Sequence, residues 1–441
     1  MLSILKDTYI KWLIAGGILV RLGIFLFFYT HVSIYPDSST YIELADRIME
    51  FNLSGYSGYR SPGYPLLLTA AFGNLYLVVC YQFSLGILSS IFWYRSLCKL
   101  RFSRKHSFLI SFFITTLLNV IFFETSILVE SLTLFLLSIV VYTLVKGYFE
   151  TSTLKNELFL GIVLGLLTLV KPFYAFLPFL IYGIYILKNF RLKRLINKKL
   201  IILIFPLLSY FGWSYVNKIN TGHFVSTTFF GLNVAQNCVR FAEKGPEEYN
   251  WIIEPYVEYR EKAITENKNL AMSIWDAYND GAYKQYNLSL GDLSAQLGQF
   301  ATATIKNNPL DYAEQVLFYS WKDFWKPTIY WNYNYFNFKY ANNLYLAIWY
   351  IQHLFLLGFR LLFLFLIPYY ILKTIKTKQI AISFILCMVV FSASILQALA
   401  TYGTNSRFSF PFEFIIIFVV FLFIKEQKII PFLKKKFALV K

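Results

Sequence analysis

Five ionisable side chains stand at the edges of apolar runs: Asp37, Arg60, Glu130, Lys171 and Arg407. A carboxylate at a membrane boundary can take the proton of an attacking hydroxyl. Guanidinium and ammonium groups beside it can hold a phosphate while negative charge develops there. One base among several cations therefore suits displacement of a phosphate leaving group, a reaction that needs charge stabilisation more than protonation. Each residue also has a plainer role. Asp37, in Tyr35-Pro-Asp-Ser-Ser-Thr-Tyr41, is a candidate helix N-cap with Thr40 as its rival. Arg60, in Arg60-Ser-Pro-Gly-Tyr-Pro65, suits a lipid headgroup, Lys171 before Pro172 suits snorkelling, and Arg407 before Phe408 suits anchoring. Glu130 lies about one turn into an apolar helix, where an ionisable group marks function by default unless it pairs with an internal base such as Arg21.

The elements that must position these groups are membrane helices. The chain has 441 residues, 57% of them hydrophobic, 20% aromatic and 15% charged, and its mean hydropathy is +0.52. Those values exclude a soluble globular protein, a disordered chain and a disulfide scaffold. Apolar runs near 12–30, 76–94, 107–123, 127–145, 157–171, 173–187, 200–216, 345–372, 380–400 and 408–424 predict an all-α polytopic membrane protein with about ten transmembrane helices. The first run lacks a small-residue cleavage site and is expected to remain as a helix.

With the N-terminus inside, the segments 1–11, 95–106, 146–156, 188–199, 373–379 and 425–441 face the cytoplasm and hold 24 of the 41 Lys and Arg. Only Asp7, Glu150 and Glu426 oppose them, whereas 217–344 carries 11 basic and 13 acidic residues. The net charge of +17 is thus a topology signal, both termini are expected in the cytoplasm, and no nucleic-acid partner is implied. The organisation read from this is an N-terminal membrane module 1–216 of about seven spans, with the outer loop 31–65 carrying the chemistry. A helical extracytoplasmic segment, 217–344, follows. The C-terminal module, 345–441, has about three spans and a basic tail.

Within the first outer loop, Thr40-x-x-Glu43 reads as a capping box. Tyr41, Leu44, Ile48 and Met49 recur at helical spacing, so 40–50 is expected as an amphipathic helix on the membrane with Asp37 just before it. The second outer segment has helical periodicity near 247–266, 269–287 and 292–306, and a further helix start at Asn308-Pro-Leu-Asp. Its aromatic end, from Trp321 to Phe336, suits an interfacial belt, or a wall for sugars or prenyl chains.

No Walker loop, GxGxxG, HExxH or Cys/His cluster is present, so no cofactor is implied; dependence on a divalent metal stays open. Cys80, Cys98, Cys238 and Cys387 are scattered and predict no intrachain disulfide. Gly161 and Gly165 allow close helix packing within or between chains. Arg21, His353 and Arg360, inside spans, are the residues that favour a lipid-linked sugar flippase or transporter. An anchored scaffold is the bland alternative, for which Glu130 has no use.

In sequence order, Tyr35-Pro-Asp-Ser-Ser-Thr-Tyr-Ile-Glu-Leu-Ala45, Arg60-Ser-Pro-Gly-Tyr-Pro-Leu-Leu-Leu68, Glu130-Ser-Leu-Thr-Leu-Phe-Leu-Leu137, Gly165-Leu-Leu-Thr-Leu-Val-Lys-Pro172, Asn308-Pro-Leu-Asp-Tyr312 and Arg407-Phe-Ser-Phe-Pro411 resemble the motifs of multi-span GT-C class glycosyltransferases. The branch is that of protein mannosyltransferases, bacterial aminoarabinose transferases and related lipopolysaccharide-sugar transferases, and the resemblance spans nearly the whole chain. It implies the GT-C fold and an inverting transferase in the cell membrane that takes a sugar from a polyprenyl-phosphate donor at the extracytoplasmic face. Asp37 would be the base, Arg60, Lys171 and Arg407 would contact the donor phosphate, and Glu130 and Glu124 would line the cavity as acids. The acceptor implied is a glycan, lipid or protein. An O-antigen-type polymerase or ligase using a lipid diphosphate is the competing enzyme reading.

Overall fold

A computed structural model describes residues 6–150, 153–188 and 196–427. From 428 on, the expected basic tail lies outside the described residues. The helices are α1 (Thr8–Gly23, prolonged by a π turn, Ile24–Phe28), α2 (Pro36–Met49), α3 (Gly63–Ala70), α4 (Leu75–Lys99), α5 (Arg104–Thr115), α6 (Leu118–Glu124), α7 (Glu130–Val145), α8 (Leu154–Val170), α9 (Phe176–Lys188) and α10 (Ile201–Thr221). A polar unit follows with α11 (Phe230–Ala235), α12 (Asn250–Thr265), α13 (Ser273–Asn279), α14 (Leu290–Asn307), α15 (Pro309–Glu314) and α16 (Trp321–Phe324). The chain then runs through α17 (Ala341–Thr377), α18 (Ile382–Ala400), α19 (Asn405–Ser409) and α20 (Glu413–Glu426).

The protein is an all-α polytopic membrane protein, and no named strand occurs among the described residues. Every predicted apolar run is helical, but among the described residues six helices are long and apolar enough to span a bilayer, or seven if α5 and α6, bent by 56°, count as one. The expected ten are therefore not all of spanning length. Helix α7 and the stretch Pro172–Lys188 are shorter apolar helices, and α8 ends after 17 residues.

Two features replace expectations about lipid contact. Helix α2 begins at Pro36, earlier than the expected 40, because a proline at the first helical position starts the helix and Ser38 Oγ accepts the Tyr35 N–H at 2.9 Å. Its apolar face meets protein: Tyr41 and Ala45 join Tyr64 and Leu68 of α3 in the main core, and Leu44 packs with Tyr56 and Trp213. In the aromatic stretch, Phe324, Trp325 and Trp331 are buried in that same core, and Tyr333 and Tyr335 are exposed. Packing on interior neighbours, such as Trp331 edge-on against Phe122 at 4.8 Å, takes these three rings of the proposed belt off the surface.

Arg21 and Arg360 each enter a closed ion pair. Arg21 donates through Nε and Nη2 to the two oxygens of Glu124 at 2.6 and 2.7 Å, with both residues 1% exposed. Arg360 donates to Glu413 at 2.9 Å and to the carbonyls of Phe324 and Lys326, and Glu413 also accepts from Asn119. Arg21 and Arg360, which the sequence offers as transport residues, thus fasten α1 to α6 and α17 to α20. Gly86 makes the first pair possible: a Cβ there would overlap Glu124 Oε1. The Gly161 and Gly165 pair lies against Ile201, Ile202 and Phe205 of α10, so it is an intrachain contact.

Candidate functional site

Asp37, Arg60, Glu130, Lys171 and Arg407 come together, although as many as 370 residues separate them. Backbone stitching brings the first two acids near each other. Ser33 N–H donates to the Thr125 carbonyl and Ile127 N–H to the Ser33 carbonyl, at 2.9 and 3.0 Å, and Ser38 Oγ donates to the Ile127 carbonyl at 2.8 Å. Gln82 holds the same loop by donating to the carbonyls of Glu124 and Ser126. The start of α2 is thereby fixed beside Glu130 at the start of α7.

Asp37 lies in the first turn of α2 and does not cap it. Its Oδ1 accepts from Arg60 Nη2 at 2.6 Å and its Oδ2 from Arg407 Nη1 at 2.5 Å. Thr40 is not the cap either; its hydroxyl donates to the Asp37 carbonyl and accepts from Arg60 Nε at 2.7 Å. Arg60 is pinned further by its backbone: its carbonyl accepts from Trp213 Nε1 at 3.0 Å and from the Tyr56 hydroxyl. Its guanidinium lies 4.4 Å over the Tyr41 ring.

Arg407 is the hub. Its Nε and Nη2 donate to the two oxygens of Glu130 at 2.6 and 3.2 Å while Nη1 holds Asp37. The short helix α19 is positioned through Asn405, whose N–H donates to Asp323 and whose side chain donates to the Ser320 and Thr401 carbonyls. Lys171 follows α8 in an extended conformation, φ −152° and ψ 108°, as a residue before proline prefers. Its ammonium sits 3.8 Å from Glu130 Oε1 and 3.2 Å over the Phe408 ring. Close approach of α3 to α8 at Gly63, where a Cβ would overlap the Val170 backbone, brings the chain after Arg60 against the chain before Lys171.

Three basic side chains face two carboxylates here, a formal excess of one basic group. Burial pushes the Asp37 carboxyl up, but the Arg60 and Arg407 guanidiniums outweigh it and hold the group well below the usual carboxylate range. Asp37 nevertheless retains 38% side-chain exposure, against 1% for Glu130. It opens into a cavity of about 410 Å³ that also touches Arg60, Lys171 and Arg407. Such an arrangement can bind an anion on its arginines and present a carboxylate to a hydroxyl beside it.

Neither of the two acids expected to line the cavity does so: Glu130 is buried behind Arg407 at 1% exposure, and Glu124 lies outside the cluster altogether. It is sealed against Arg21 and does not line this cavity; the position beside the cluster that an internal base fills is Glu130's, and that base is Arg407. Sequence reasoning missed the opposite wall, which the polar unit supplies with Phe229, Asn233, Met272, Trp275, Tyr278 and Asn279. These are neutral residues on short helices with core-like periodicity, so nothing in their spacing singles them out. Among the described residues no three His, Cys, Asp or Glu side chains gather as a metal-binding group. Comparison with known protein families, curated proteins and solved structures finds no match to this chain.

Proposed function

We propose that this chain is an inverting glycosyltransferase of the GT-C type, moving a sugar from a polyprenyl-phosphate carrier to an acceptor at the extracytoplasmic face of the cell membrane. The observation that supports this reading is the gathering of Asp37, Arg60, Lys171 and Arg407 around one cavity, with Glu130 buried behind them against Arg407 and Lys171. The asymmetry of Lys and Arg between the loops supports the orientation.

In this mechanism the donor's phosphate competes with Asp37 for Arg60 and Arg407. While both guanidiniums hold it, Asp37 is a weak base; as the phosphate takes up their charge, its basicity returns. An acceptor hydroxyl then attacks the anomeric carbon, a new C–O bond forms with inversion, and the hydroxyl proton passes to Asp37. The bond from that carbon to the phosphate oxygen breaks, its electron pair leaves on the phosphate, and Arg60, Arg407 and Lys171 stabilise the extra charge. Glu130 keeps Arg407 oriented through its two hydrogen bonds.

The test is release of free polyprenyl phosphate from a panel of synthetic polyprenyl-phosphate sugars by purified wild type and Asp37→Asn, with membrane extract supplying acceptor. Release by wild type alone is expected. Turnover of a diphosphate-linked donor with none of a monophosphate donor moves the assignment to a polymerase or ligase, and equal release by both proteins removes Asp37 from the chemistry.

A further inference from the structure

The cavity at Asp37 has two unlike walls. Asp37, Arg60, Lys171 and Arg407 bring formal charge from one side. Phe229, Asn233, Met272, Trp275, Tyr278 and Asn279 bring none from the other. The neutral wall is rich in rings: Phe229 packs edge-on with Trp275 at 4.9 Å and stacks on Tyr59 at 5.6 Å, and the Arg60 guanidinium lies 5.2 Å from the Phe229 ring centre. The side-chain amides of Asn233 and Asn279 have no hydrogen-bond partner among the described residues.

This division selects a ligand with two ends. The charged wall accepts an anion. An aromatic face with a carbonyl-and-amine pair beside it matches a molecule that has apolar C–H faces and hydroxyl edges, because ring faces attract weakly positive hydrogens and an amide both donates and accepts. A peptide fits less well, since no sheet edge is available among the described residues to pair with its backbone. We infer that helices α11 and α13 form an acceptor subsite for a neutral carbohydrate, with its ring on Trp275, which Phe229 supports edge-on, its hydroxyls on Asn233 and Asn279, and one hydroxyl directed at Asp37. This inference rests on the transferase reading and names the chemical class of its acceptor.

Binding tests it without turnover. Saturation-transfer NMR would be run on the full chain in detergent micelles with methyl glycosides of glucose, galactose, mannose and N-acetylglucosamine, and with a Ser/Thr-containing tetrapeptide. At least one glycoside is expected to take up saturation from wild type, to fall to background with Trp275→Ala, and to keep its signal with Trp275→Phe. If Trp275→Ala does not fold, Asn279→Ala, at an exposed helix end, is expected to weaken the same signal several-fold. Equal signals for wild type and both alanine variants overturn the inference, as does saturation of the tetrapeptide alone. Donor release without glycoside binding overturns the subsite and leaves the transferase reading standing; glycoside binding with no donor release overturns the transferase reading and with it the acceptor role, leaving a carbohydrate-binding site.

Discussion

Two sets of ionised side chains use the same chemistry to different ends. Arg21 and Glu124 close on each other at 1% exposure and hold α1 to α6. Asp37 is gripped as tightly, by Arg60 and Arg407, yet keeps one side open to a cavity. A closed pair in a low-dielectric interior has no competitor for its hydrogen bonds, so it serves as a fastener. An open pair can exchange one anion for another, and exchange is what binding a phosphate requires.

The comparison breaks most visibly at its acids. Asp37→Asn keeps the fold and is expected to lower the rate of transfer by about 100- to 10,000-fold, the range for loss of a general base; steady-state release of polyprenyl phosphate measures it. Glu124→Gln leaves a buried guanidinium without its partner and is expected to destabilise by about 3–5 kcal/mol, seen as a lower unfolding temperature in detergent. Replacing Arg21 and Glu124 together by Met and Leu is expected to recover most of that loss. Gly86→Ala drives a methyl group into the same pair and is expected to cost about 1–3 kcal/mol by overpacking, again with turnover per folded molecule unchanged.

The smallest effect is in pH dependence. Because Arg60 and Arg407 hold Asp37 below its ordinary range, its ion pairs contribute fully above about pH 4. That contribution is lost as pH falls through the lowered folded value. Thermal stability followed from pH 6 to pH 3 is therefore expected to fall late in wild type. In Arg407→Gln, where Asp37 titrates nearer its ordinary value, the Asp37 contribution is smaller, begins to fade at the same pH and is fully lost at a higher one.

What the sequence makes legible follows from the range of the forces involved. Hydropathy runs are local, so the all-α membrane architecture is readable, and so is the asymmetry of charge between its loops. Asp37, Arg60, Glu130, Lys171 and Arg407 are readable because a charge near lipid needs a reason. Their pairing is not, since Glu124 and Glu130 flank the short break between α6 and α7 and nothing local says which one meets Arg21 and which Arg407. The start of α2 misleads for a related reason: Thr40-x-x-Glu43 is a valid cap pattern, but Pro36 and Ser38 begin the helix first. Helix α13 spans seven residues of the expected 269–287 because the chain turns at Gly281, φ +85°. Trp275 and Asn233 are silent in the sequence because neutral side chains in amphipathic helices look like packing.

The contact between Asp37 and Arg407 also has a bearing on synthesis. At roughly 5–20 residues per second, the 370 residues between them separate their emergence from the ribosome by roughly 20–70 s. During that interval the carboxylate has Arg60, 23 positions along, as its near cation, and Glu130 waits for the residue that will orient against it. The charged floor is therefore completed by α19, long after its other members are made, so a chain cut short before α19 carries Asp37 and much of the aromatic wall without the hub that joins them.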